Sequence, residues 1–242
     1  MHTLYLGPSW AVQSYESFSG NDDVVKTNLA QELGLSNFTQ IAKYGKSNLS
    51  QLVSAKKFME DNANLAPFNI LFVMSESLSN GPAHYNLSAE KFAHDFLTSD
   101  DPIAIIKNLE IDFYRQLSNL QIPMALIGAH TDIVDFDFAK NITVLHPSWQ
   151  NFLGSCCELD KFFGWPCEIA NLWLQGRLDY NTYIRQVKPS KSVVFEIDRL
   201  MSKWTTLQLN NLWNGVHPSI LGNQLFAKEI ADSFNQWIDN VV

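Results

Sequence analysis

Asn69-Ile70-Leu71-Phe72-Val73-Met74 is a short, almost unbroken apolar run. A run this short, with no wet side, reads as a strand covered on both faces. Met124-Ala125-Leu126-Ile127 and Ile142-Thr143-Val144-Leu145 repeat the pattern. Thr3-Leu4-Tyr5-Leu6-Gly7 and Phe38-Thr39-Gln40-Ile41-Ala42 supply two earlier candidates. Between the runs lie stretches with helical spacing. Asp22-Asp23 reads as a helix start, with Val24, Val25, Leu29 and Leu33 on one face and Gly34 as the stop. Ser47-Asn48 caps a helix carrying Leu49, Leu52, Val53 and Phe58. Residues 102–120 place Ile105, Ile106, Leu109, Phe113 and Leu117 at helical spacing. The last helix, read from Pro218 to Trp237, carries Phe226, Ile230, Phe234 and Trp237 on one stripe. Doubly covered strands alternating with amphipathic helices predict an α/β fold, a three-layer αβα sandwich around a five-stranded, mostly parallel sheet. Ligands of such sheets bind at the carboxyl ends of the strands.

The chain has 242 residues, 46% of them hydrophobic, which suits one large domain or two small ones; a Ser9–His217 pairing requires one, over 1–242. The formal net charge is −8 and no basic face is clustered, so no nucleic-acid partner is expected. No stretch reaches the roughly 18 apolar residues of a membrane span. The first residues lack a basic region and an apolar run before a cleavage site, which predicts a cytoplasmic chain. Only 17% of residues are charged, which suits an uncharged substrate. Cys156, Cys157 and Cys167 lack metal-ligand spacing and read as reduced thiols, with a Cys157–Cys167 bridge as the alternative. No Gly-rich phosphate motif is present, so no nucleotide cofactor is expected. His130, Asp132 and Asp135 lack diagnostic metal spacing.

The strand ends hold the chemistry. The first strand ends in Gly7-Pro8-Ser9, and a serine there can present its hydroxyl to the crevice. Asn214-Gly215-Val216-His217-Pro218 precedes the last helix, with Pro218 read at its first position. An imidazole so placed can accept the serine proton. Tyr44-Gly45-Lys46-Ser47-Asn48 follows the second strand, and Ser75-Glu76-Ser77-Leu78 the third. In order, spacing and position, these pieces resemble the SGNH (GDSL-like) hydrolase superfamily over nearly the whole chain. The resemblance implies a flavodoxin-like SGNH hydrolase fold and no cofactor. It implies Ser9 as nucleophile, His217 as base and Gly45 as a backbone oxyanion donor. His146-Pro147-Ser148-Trp149 repeats the His-Pro-Ser string, but it lies far from the last helix, where the family keeps its histidine.

Three positions depart from the family. Pro8 replaces an aspartate and stiffens the turn. Ser77 replaces the oxyanion asparagine. Losing such a donor costs roughly 2.7–4 kcal/mol, and Asn80 is a candidate substitute. Asn214 replaces the acid that orients the histidine. It can accept from the ring N–H but cannot stabilise imidazolium by charge, a change worth about 10,000-fold in serine proteases. Glu76 and Asp132 are other strand-end carboxylates. The expected activity is that of a serine esterase, an acyl or acetyl ester hydrolase using a Ser9–His217 dyad on a small-molecule or carbohydrate ester. The alternatives are a weakly active or inactive binding module of the same fold, and an acyltransferase. An aromatic-rich irregular insertion is expected over roughly 149–213. Its Trp149, Phe152, Phe162, Phe163, Trp165, Trp173, Tyr180, Tyr183, Trp204 and Trp213 either form a lid or complete the core.

Overall fold

The computed structural model describes residues 1–12, 27–42, 47–74, 98–99, 101–129, 132–160, 202–214 and 217–241. Five parallel strands form the sheet: β1 (His2–Leu6), β2 (Phe38–Gln40), β3 (Phe68–Met74), β4 (Met124–Gly128) and β5 (Ile142–His146). Their order is β2-β1-β3-β4-β5. The chain therefore steps outward from β1 to β2 and then crosses back to β3. The carboxyl ends of β1 and β3 flank the switch point, where doubly wound sheets open a crevice.

Strand pleating sorts the core into two layers. Tyr5, Leu71, Val73, Ala125 and Ile127 face one layer. Leu4, Leu6, Ile70, Phe72, Met74, Met124 and Leu126 face the other. The first is covered by α2 (Leu29–Glu32), α5 (Trp149–Ser155), helical residues 202–209 and α6 (Ile220–Val241). The second is covered by α3 (Asn48–Asp61) and α4 (Pro102–Ser118). The result is a three-layer αβα sandwich, with every strand of the sheet parallel. Tyr5 and Trp237 share one core, so both ends of the chain build the same layer. No helix among the described residues is long and apolar enough to cross a membrane.

Several boundaries differ from the sequence expectation. Asn28 accepts from the Gln31 N–H while the Gln31 side chain accepts from the Asn28 N–H, a reciprocal capping box that starts α2 at Leu29 rather than near Asp22-Asp23. Residues 22–26 lie outside the described residues. Gly34, with φ of 75°, does end α2. Ser47 caps α3 as expected, yet Val53 faces solvent, because Leu52 and Ala55 define the buried stripe. α6 begins at Ile220, since the Ser219 hydroxyl accepts from the Gly222 N–H. Pro218 therefore belongs to the preceding strand, not to the first helical turn.

The expected irregular region contains regular core structure. Trp149, Leu153, Trp204, Leu207, Leu212 and Trp213 are buried in the first layer. Core completion accounts for Trp149, Trp204 and Trp213, since burying an indole outweighs any regularity of the flanking chain. Phe162, Phe163, Trp165, Trp173, Tyr180 and Tyr183 lie outside the described residues. Cys156 and Cys157 are free thiols, and burial raises the pKa of both. Cys167 lies outside the described residues.

Candidate active site

Gly7 leaves β1 where no side chain fits. A Cβ there would stand 2.5 Å from the Ala11 Cβ and 3.0 Å from the Val73 carbonyl oxygen. The chain then turns within one step: the Ala11 N–H donates to the Pro8 carbonyl at 2.9 Å, and α1 (Ser9–Val12) begins at the candidate nucleophile. The fixed φ of proline suits the entry to such a turn. Trp10 and Ala11 are buried in the first layer, so the Ser9 turn is anchored by the residues behind it.

The second half of the site comes from the far end of the chain. β6 (Trp213–Asn214) and β7 (His217–Pro218) pair antiparallel, with Asn214 opposite His217. Cα atoms of β7 and α1 come within 8 Å of one another. Aromatic packing holds this contact. Trp10, next to Ser9, meets Trp213, next to Asn214, edge to face at 4.6 Å between ring centroids. Trp10 also meets Trp149 edge to face, and Trp149 stacks on Phe226 of α6 at 4.6 Å and 11°. Such pairs add about 0.5–1.5 kcal/mol each beyond the area they bury. α6 is locked to the same hairpin. Ser219 N–H donates to the Leu212 carbonyl at 3.1 Å, and the Ser219 hydroxyl donates to Asn211. A Cβ on Gly222 would stand 2.4 Å from the Leu212 carbonyl oxygen, so only glycine allows that approach.

His217 is half-buried, and burial lowers its imidazole pKa to about 4. Losing water disfavours the charged ring, so the neutral, proton-accepting form holds at neutral pH. The ends of β2 and α3 flank β1's exit. Ala42 N–H donates to the Tyr5 carbonyl at 3.1 Å, and Gln51 Nε2 of α3 donates to the Gly7 carbonyl at 2.7 Å. Met74 ends β3, its carbonyl accepting from Ala129 N–H at 3.1 Å.

Of the sequence-predicted residues, Asn214 and His217 pair across β6 and β7, and β7 lies near α1, the element that opens on Ser9. Gly45, Ser77 and Asn80 lie outside the described residues, as do Glu76 and His130. Asp132 accepts from Asn151 Nδ2 at 2.8 Å. His146 sits in a different environment. A bulge pairs Leu126 with Val144 but Ile127 with His146, which turns His146 into the first layer. There its ring meets Phe226 and Phe152, and Nδ1 accepts from Ser148 N–H at 3.1 Å. Burial lowers its pKa, against the opposing pull of Glu229 and Asp132. That is the setting of a packing histidine. Sequence reasoning missed Gln51 and the Trp10–Trp213 pair. The tryptophans flank the candidate residues directly, a signal that was available; a glutamine inside a helix carries none. Comparison of the chain with family models, curated proteins and solved structures finds no match.

Proposed function

We propose that the protein is a serine-dependent ester hydrolase related to the SGNH (GDSL-like) superfamily. The observation that carries this reading is the approach of α1, which opens on Ser9, to β7, which opens on His217, beside the switch point of the sheet. These elements come from distant parts of the chain, and a Ser–His pair needs both at one strand end. Burial keeps the His217 imidazole in the unprotonated form that a base needs, while making it a weaker base than a solvated histidine.

In this mechanism His217 removes the Ser9 proton as Ser9 Oγ attacks the ester carbonyl carbon. The Ser9 and Gly45 N–H groups hold the oxyanion, helped by Ser77 or Asn80. Collapse breaks the bond to the leaving alcohol, which takes the proton from His217. Water then repeats the cycle on the acyl-enzyme and frees the acid. Asn214, opposite His217 in the hairpin, holds the ring in its useful tautomer. The favoured substrate class is a small acyl ester, such as an acetyl group on a sugar. A fluorophosphonate probe should label the protein, and Ser9→Ala should abolish labelling. p-Nitrophenyl acetate should be cleaved faster than the octanoate. Absence of both labelling and hydrolysis would return the protein to the binding-module reading.

A further inference from the structure

We propose that Gln51 is a positioning residue for the nucleophile, acting through the Gly7 carbonyl; this rests on the Ser9 reading above. The last ladder pair of β1 is Leu6 with Phe72. Gly7 lies one residue beyond it and is buried. A buried carbonyl needs a donor, and Gln51 supplies one across 44 residues of chain, Nε2 to O at 2.7 Å. Gln51 itself is 1% exposed. Its backbone N–H donates to the Ser47 carbonyl at 3.0 Å, so its main chain is fixed in the first turns of α3. Leu52 and Ala55 seat that helix against the sheet.

The geometry has a consequence for the oxyanion site. One amide thus ties the turn that carries Ser9, whose backbone N–H is assigned to the oxyanion, to α3. Oxyanion donors act only when their spacing is held, and a misplacement of about 1 Å can cost about 100-fold. Gln51 touches neither substrate nor reacting atoms in this scheme. Removing its donor should loosen the turn, slow acylation and leave ground-state binding alone.

The test compares wild type, Gln51→Met and Gln51→Glu at neutral pH. The first variant keeps length and loses the donor; the second keeps shape and, with burial holding its carboxyl protonated, keeps an O–H donor. Fluorophosphonate labelling rate, kcat and KM for p-nitrophenyl acetate, and the thermal transition are measured together. The expected result for Gln51→Met is a fall of about 10–100-fold in labelling rate and kcat, with KM within about twofold of wild type, and for Gln51→Glu a substantial rescue of both rates. Equal labelling rates in all three proteins overturn the positioning role alone. A raised KM with unchanged kcat overturns it in favour of substrate binding. Loss of the folded state in both variants overturns it in favour of a purely structural bond. A wild type that the probe does not label overturns the Ser9 reading and this inference with it.

Discussion

An imidazole with a pKa near 4 sets how activity should depend on pH. If His217 is the base, kcat/KM should rise with pH through a midpoint near 4 and run level through neutrality. An exposed histidine would place that midpoint near 6.5. A pH–rate profile with p-nitrophenyl acetate between pH 3.5 and 8 checks this, and a midpoint at 6.5 would mean that the His217 ring is solvated during turnover. Gly7 makes a second demand at this scale. Gly7→Ala should destabilise the fold by about 1–3 kcal/mol, the usual cost of overpacking, because the new Cβ would stand 2.5 Å from the Ala11 Cβ and 3.0 Å from the Val73 carbonyl oxygen, neither of them the far end of a flexible side chain. Urea unfolding at pH 7 measures it. Gly7 and His217 could be named from their place in the motif. The reason for each, a 2.5 Å collision and a dehydrated ring, depends on residues distant in sequence and was not legible there.

At the level of elements, strands were easier to read than helix starts. Buried parallel strands write their burial into every residue, and Phe68–Met74 and Met124–Gly128 fall almost where the apolar runs place them. Helix starts depend on which polar side chain turns back onto the backbone. Asn28, Pro218 and Ser219 all suit a helix start, and the side chains that turn back are those of Asn28 and Ser219. The hairpin of β6 and β7 was not anticipated, since two-residue strands leave no periodicity to detect. Its attachment to α1 through Trp10 and Trp213 can be measured. Trp10→Leu and Trp213→Leu should each destabilise the protein, and the double variant should be less destabilised than the sum by about 0.5–1.5 kcal/mol. If the hairpin presents the base, each single variant should also lower kcat. A double-mutant cycle on unfolding free energy, run beside the esterase assay, tests both parts; strict additivity would mean that the two indoles do not hold the hairpin together.

The molecule as a whole closes on itself in the first layer, where Tyr5, Trp10, Trp213 and Trp237 from both chain ends are buried together. Two histidines, His146 and His217, belong to that half of the fold, and burial lowers both pKa values. In the unfolded chain each titrates near 6.5. Between the two values the unfolded state binds more protons than the native state, so stability must rise with pH. For His217 the contribution is fully present above about pH 6.5 and is lost as pH falls through 6.5 toward 4. It amounts to roughly 2 kcal/mol between pH 7 and 5. His146 adds in the same direction, less strongly because Glu229 and Asp132 favour its charged form. The protein should therefore unfold at lower urea concentration at pH 5 than at pH 7. His217→Gln should remove most of that difference, whatever it does to stability at pH 7, and His146→Gln a smaller part. An unchanged pH dependence in His217→Gln would show that the ring is not dehydrated in the native state. It would also remove the reason for expecting a base that stays neutral in mild acid, so unfolding tests the protonation half of the proposed mechanism without any substrate.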